Sequence, residues 1–322
     1  MERVTEDVYP MLLAPCGKDY LWGGTRINSR FGKGIDMTPL AETWECSAHP
    51  DGPSLVRNGL FAGKTLKEVL DARPGFLGTK GNPKEGLPIL VKFIDAAKDL
   101  SIQVHPDDAF AERFEGSRGK AEMWYVLEAA EGASIVLGFE HSVNEAIIRE
   151  AQAKGDFRRH LHCIPVQKGD SFFVPPGTVH AIGAGILMVE VQESSNLTYR
   201  VYDYDRIGPD GRKRELHLEK AFQVMNMKPA GARGRGGRTI RYENGCSRET
   251  LCRCRYFETE YIRCTNEFSF DVRRESCQIL LCLEGEGTCG GEPFRGGDCL
   301  FLPAGYGSAE VVGALRLLKI RN

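Results

Sequence analysis

Four side chains of this sequence are of types that together hold a divalent metal ion: Gln103, His105, Glu122 and His180. Gln103 and His105 stand two apart in Ser101-Ile102-Gln103-Val104-His105, so in a strand they share a face. Glu122 opens the next apolar run, Met123 to Leu127, and His180 closes the later segment Gly169 to His180. One amide oxygen, two imidazoles and one carboxylate suit Zn²⁺ with a position left for substrate or water. No thiolate belongs to the set, so Mn, Co or Fe also fit. Taken singly, His105 before Pro106 could be a turn residue, Glu122 a surface acid and His180 a hairpin cap. Only a shared frame makes them a site.

That frame has to come from strands. Ile89 to Ile94, Trp124 to Leu127, Ser171 to Val174 and Ile186 to Val191 are short apolar or alternating runs of strand length. Helices are few. Thr65 with Glu68 predicts a capping box closed by Pro74. Ser142 with Glu145 predicts another, stopped by Gly155, and a third helix is expected near Leu218 to Asn226. The chain also repeats itself. Gly169 to His180 reads GDSFFVPPGTVH and Gly297 to Ser308 reads GDCLFLPAGYGS. Each follows an apolar strand with a glycine turn, and each kinks its own end with Pro and Gly. The pattern resembles the second motif of the cupin superfamily, which implies a mainly β fold of two jelly-roll β-sandwich or barrel domains. The last residue of the second copy is Ser308, a poor metal ligand, so that copy reads as a barrel without a metal.

Composition is consistent with such a fold. In 322 residues, 42% are hydrophobic and 27% charged, enough for a substantial core, and 37 glycines allow many tight turns. Net charge is −2, which favours no polyanion. The run Arg233 to Arg238 reads as a flexible linker rather than an RNA-binding segment, and nucleic acid is not an expected partner. No stretch approaches the roughly 20 apolar residues of a membrane span. With no secretory leader apparent, a cytoplasmic protein is expected. Eight of the eleven cysteines lie between Cys246 and Cys299. Without paired C-x-x-C knuckles they read as reduced thiols rather than a zinc site at Cys252, Cys254, Cys264 and Cys277. The expected division is 1–228 as catalytic domain, 229–239 as Gly/Arg-rich linker and 240–322 as a second, structural barrel covering one side of the first.

A more specific resemblance then emerges. Ser101 to Asp107, reading SIQVHPD, is similar to the S-x-Q-x-H-P-D motif of the type I phosphomannose isomerases. Further pieces fall in the family's order: Leu21-Trp22-Gly23-Gly24, Ala41-Glu42-Thr43-Trp44, Leu90-Val91-Lys92, Gly119 to Trp124, Val174 to Ile182, and Gln192 to Arg206. The likeness runs from about Pro10 to Asn226 and is weak beyond. It implies that Gln103, His105, Glu122 and His180 ligate zinc, that Arg200 is the active-site arginine, and that Lys92 and Lys120 lie in the pocket. Two positions depart from the family. Ala121 replaces a frequent proline, and Ser194-Ser195-Asn196 lacks an aspartate.

The implied reaction is isomerisation of mannose 6-phosphate and fructose 6-phosphate through an enediol, with a phosphorylated hexose as the only expected partner. Arg200 cannot readily lose its proton and would stabilise the enediolate or fix geometry. The base is Glu190, Glu42, Lys120 or a zinc-bound water. Lys92, inside an apolar strand, either contacts phosphate or pairs with Asp95 or another acid, and Ser101 could donate a further hydrogen bond. Two other readings compete: an Fe(II) dioxygenase cupin, which Gln103 argues against, and a non-catalytic metal-binding cupin that binds sugars or phosphosugars. Oligomeric state is not legible.

Overall fold

The computed structural model describes residues 7–208, 211–230 and 239–322. The 231–238 portion of the expected linker, with Arg233 to Arg238, lies outside the described residues. The fold is mainly β, with short helices, in two barrels in which six strands follow the same spatial order.

In the first barrel a six-stranded antiparallel sheet faces a five-stranded one. The larger sheet carries, in spatial order, Ser171–Val174, Glu122–Ala129, Ile186–Glu193, Ile89–Ala96, Glu42–Cys46 and Cys16–Lys18. The smaller carries Tyr199–Tyr202, Ile102–Val104, His180–Ile182, Ser134–Phe139 and Leu161–Pro165. Side chains alternate across each strand. In Ile89–Ala96, Val91 and Phe93 face the neighbouring barrel, while Ile94 and Ala96 face the barrel's own interior. Both faces are covered, so the strand reads as an unbroken apolar run. Lys92 falls on the interior face by the same alternation.

The second barrel follows the same order, with Cys299–Leu302, Gln278–Cys289, Gly307–Arg321, Glu258–Cys264, Cys246–Arg253 and Ile240–Glu243. Here two long strands run through both halves of the barrel, Gln278–Cys289 and Gly307–Arg321. Its sheet is therefore continuous. That sheet also takes in Met11–Ala14, paired with Cys299–Leu302, and Leu55–Val56 beyond it. The amino-terminal strands thus belong to the sheet of the carboxy-terminal barrel, across the expected division at 228. The shared core between the barrels includes Met11, Phe93, Tyr125 and Phe301.

The helix Leu66–Ala72 has the expected capping box of Thr65 and Glu68. The helix Glu145–Lys154 ends at Gly155 as expected, but its N-cap is Asn144, whose side chain accepts from Ile147 N–H. Ser142 lies two residues too early to do so. The third helix is Leu218–Val224, two residues shorter than expected because Met225 is already extended. All eleven cysteines are unpaired. Among the described residues none gathers into a metal-type cluster, Cys252, Cys254, Cys264 and Cys277 included.

Candidate active site

Three strands and one kinked turn assemble the cluster. His180 pairs directly with Gln103, and Arg200 pairs with Gln103 from the other side, so these three stand in a row across the smaller sheet. Glu122 enters from the larger sheet with Trp124 and Val126 on the same inward face. Gly177 makes the approach of His180 feasible. It adopts φ 79°, its N–H donates to His105 carbonyl at 2.8 Å, and a Cβ there would lie 2.8 Å from the carbonyl of Val224.

His105, Glu122 and His180 are all buried, with ligand-type atoms within 4.8 Å of one another. Glu122 Oε1 lies 3.1 Å from His105 Nε2 and 3.0 Å from Lys120 Nζ; its Oε2 lies 3.6 Å from His180 Nε2. Despite this crowding neither oxygen of Glu122 has a well-directed hydrogen bond, and His105 Nδ1 has no partner. Buried polar atoms are seldom left so without an unseen ion or water. His180 Nδ1–H donates to the Thr178 carbonyl at 2.8 Å, which leaves Nε2 as a lone-pair donor pointing into the cluster. The amide of Gln103 lies 3.4 Å from that Nε2 and can present its oxygen there. Burial first, then the Lys120 charge, pulls His105 down to about 3, so its ring is neutral as a ligand requires. Burial alone would raise Glu122, but Lys120 and the two histidines outweigh it and hold the carboxylate ionised. The donor set therefore fits a divalent metal; the surface-acid reading of Glu122 does not hold at 0% exposure, and His105, although it stands just past the end of the strand Ile102–Val104, is turned inward at 1%.

The cluster opens into a cavity of about 280 Å³ lined by Glu42, Lys92, Ser101, Gln103, Lys120, Glu190 and Arg200, with Tyr20, Trp22 and Arg214 at its sides. Every side chain singled out from the sequence thus lies in the cavity wall or the buried cluster beside it. Lys92 does not pair with Asp95. Asp95 is taken by Arg26, through the backbone N–H at 2.7 Å and Nε at 2.8 Å. Gly24 permits this approach, since a Cβ there would sit 2.3 Å from Asp95 Oδ2. Lys92 Nζ lies instead between Glu42 Oε2 at 3.4 Å and Glu190 Oε1 at 3.2 Å, above the Trp44 ring. Two indoles complete the arrangement: Trp44 Nε1–H donates to Glu42 at 2.8 Å and Trp124 Nε1–H to Glu190 at 3.0 Å. Burial would lower Lys92, but Glu42, Glu190 and Glu122 hold it above the ordinary lysine range. Burial, with repulsion from Glu122, pushes Glu190 up.

Arg200 donates from Nη1 to the Glu215 carbonyl at 2.8 Å, and its buried Nε has no partner. Arg214 was not legible in the sequence. It comes from the segment after Arg200 and is held by Asp203, whose Oδ2 accepts from its Nε at 2.7 Å. The Asp-Tyr-Asp-Arg run at 203–206 was visible, but nothing in it says that Asp203 turns back to anchor an arginine eleven residues on. Among the other histidines, His217 Nδ1 accepts from the Arg200 backbone, His141 and His160 contact each other at 2.9 Å, and His49 packs edge-on against Trp44.

The family "Phosphomannose isomerase type I, catalytic domain" matches residues 11–138. A mannose-6-phosphate isomerase of Streptococcus mutans is 45% identical over 69% of this chain and 70% of its own length. One of Bacillus subtilis is 36% identical over 94% of this chain and 96% of its own. The crystal structure of the mannose 6-phosphate isomerase from Bacillus subtilis superposes with a TM-score of 0.89 at 34% identity, covering 97% of this chain and 99% of that one.

Proposed function

We propose that this chain, which belongs to the type I phosphomannose isomerases, interconverts D-mannose 6-phosphate and D-fructose 6-phosphate by moving a proton between C1 and C2 of an enediol. The observation that carries the reading is the buried His105, Glu122 and His180 cluster at the edge of a small polar cavity whose wall also carries two arginines. These three residues, with Gln103, would hold the metal, for which we propose Zn²⁺. When bound, the metal supplies Lewis acidity toward the substrate's oxygens.

The protein's own side chains divide the remaining work. Glu190 is the proton carrier. Its carboxyl faces the cavity, and its raised affinity for a proton brings it nearer to working pH than an exposed glutamate. Trp124 Nε1–H fixes one oxygen and Lys92 holds the other, so the carboxyl does not turn away. Lys120 keeps Glu122 ionised and adds to burial in keeping the His105 ring neutral. Arg200 remains protonated, and its unpartnered Nε–H is available to the oxyanion that develops in the enediolate. Arg214, braced by Asp203, and the Ser101 hydroxyl take the phosphate. Lys92, with both neighbours already carboxylates, is a positioning residue.

The direct test is a coupled assay of mannose 6-phosphate conversion on purified protein, before and after chelation and after zinc is restored. Activity lost and then recovered supports both reaction and metal. A zinc-loaded, folded protein without turnover would favour a sugar-binding cupin instead. Activity that survives thorough metal removal overturns the mechanism.

A further inference from the structure

The strand pairing carries each active-cavity position onto one in the second barrel. The sequence repeat sets Val174 on Leu302 and His180 on Ser308. Val174 pairs with Glu122, and Leu302 with Gln278. His180 pairs with Gln103, and Ser308 with Asp271. One strand further, Glu190 lies opposite Lys92, and its counterpart Lys319 lies opposite Glu260. Three of the four metal-type donor positions, those of Gln103, Glu122 and His180, thus carry Asp271, Gln278 and Ser308. The lysine–glutamate pair survives with its charges exchanged between the two strands, Lys319 Nζ lying 2.8 Å from Glu260 Oε2.

These positions have not been refilled with apolar side chains. A cavity of about 560 Å³ opens on Asp271, Gln278, Glu260 and Lys319, against about 280 Å³ in the first barrel, while Ser308 lies exposed outside its lining. Seven lysines and arginines line it against four carboxylates, an excess of positive charge in a chain whose net charge is negative. Arg241 and Arg248 stand directly opposite one another in neighbouring strands, a like-charge pairing that is unfavourable by itself. Arg248 is fixed by Glu243 at 3.2 Å and the Ser269 carbonyl at 2.9 Å, yet its buried Nε has no partner. Gln278 is 4% exposed. Its amide N–H donates to the Asp271 carbonyl at 2.9 Å, and its Oε1 is likewise unpartnered. An open buried donor and an open buried acceptor in one basic cavity are complementary to a ligand with both anionic oxygens and hydroxyls.

The geometry points to a second binding site: the mouth of the carboxy-terminal barrel holds a small hydroxylated phosphate ester, in the place where the first barrel has its catalytic cavity. Among the described residues no second cluster of metal-type donors gathers there, so the ligand is held and not converted. This goes beyond the isomerase reading and does not depend on it.

Equilibrium dialysis of the full-length protein against mannose 6-phosphate labelled in its phosphate tests the site, since the label stays with the phosphate in either isomer. Gln278→Glu, which places a carboxylate where the open acceptor stands, and Arg248→Gln are each expected to weaken one bound equivalent by about tenfold or more relative to wild type. Both variants should keep wild-type turnover and melting temperature. Inorganic phosphate should displace that equivalent, and mannose should not. Variants that bind as much labelled ligand as wild type, with the same affinity, overturn the proposal. So does an equivalent displaced by mannose alone. Arg248→Gln, on a partly exposed side chain, keeps the test decisive if Gln278→Glu fails to fold.

Discussion

Replacing Lys92 with methionine removes the ammonium from between two buried carboxylates while filling most of its volume. Lys92 is 3% exposed, Glu190 4% and Glu42 7%, so none of the three can turn to bulk water for relief. Removing one partner of a buried ion pair typically costs about 3–5 kcal/mol, because the remaining charge is left uncompensated. Here both acids line a cavity that admits water, which places the expected loss near the lower end, roughly 3 kcal/mol. For a chain of 322 residues that corresponds to a fall in Tm of about 4–5 °C. The sign of the pH dependence follows from the carboxyls. Burial already raises Glu190, and without Lys92 it rises further. A carboxyl whose folded pKa lies above its unfolded value stabilises below the unfolded value and loses that stabilisation as pH rises through the folded one. The deficit of Lys92→Met should therefore be smallest near pH 5 and largest near pH 8. Adding Glu42→Gln removes one of the stranded charges and should restore roughly half the loss, a coupling that two independent sites would not show.

Scanning calorimetry of the two single variants and the double variant at both pH values measures this directly, with steady-state kinetics on the same samples. If Lys92 positions the carboxylates, Lys92→Met lowers both stability and kcat, and the double variant recovers stability. A variant that melts with wild type, while KM for mannose 6-phosphate rises about tenfold at unchanged kcat, would refute this reasoning and make Lys92 a phosphate ligand.

Three further outcomes are expected. Arg200→Ala should cut kcat by about 10²–10³ with little change in Tm, since among the described residues its side chain hydrogen-bonds to the Glu215 carbonyl alone and its backbone bonds with His217 are kept; this is checked by kinetics beside a melting curve. Arg214→Ala should instead raise KM by about tenfold while inhibition by unphosphorylated mannose stays unchanged, if Arg214 serves the phosphate. Glu193 is 1% exposed and accepts from Ala121 N–H at 2.8 Å; burial lifts its carboxyl to about 8. Since that lies above the unfolded value of about 4.3, its stabilisation is complete below about pH 4 and fades as pH rises toward 8. Glu193→Gln should accordingly melt higher than wild type at pH 8, and the difference should shrink toward pH 5. A difference constant with pH would sink the assignment.

How much of this could be read from the chain depended on whether a residue's role was set locally or across the fold. The three clustered donors were legible because chemistry selects the residue types; strand alternation was the expected reason for Gln103 and His105 to share a face, but the strand ends at Val104 and His105 reaches the cluster from just beyond it. The buried strands were legible for a similar reason. Ile89 to Ile94 is covered on both sides and so carries no solvent-facing gaps. The caps were legible only when the capping side chain was unique. Thr65 has no competitor, whereas Ser142 and Asn144 both precede Glu145, and the choice rests on which oxygen meets Ile147 N–H. The partners of Lys92 were not legible at all. Asp95 is three residues away on the same strand and therefore on the opposite face, where Arg26 reaches it. Glu42 and Glu190 come from the two neighbouring strands, and only the register reveals them. The same register shows what the repeat alone could not. GDCLFLPAGYGS announces a second barrel that has lost its histidine, which reads as loss of function. Once the strands are paired, Lys319 and Glu260 appear as the inverse of Glu190 and Lys92. In a barrel that served only as scaffold, exchanging such a largely buried pair for apolar side chains of similar volume is often neutral or stabilising. That the pair, the open Gln278 acceptor and a cavity coincide at the catalytic position of the repeat is the physical reason to look for a ligand there.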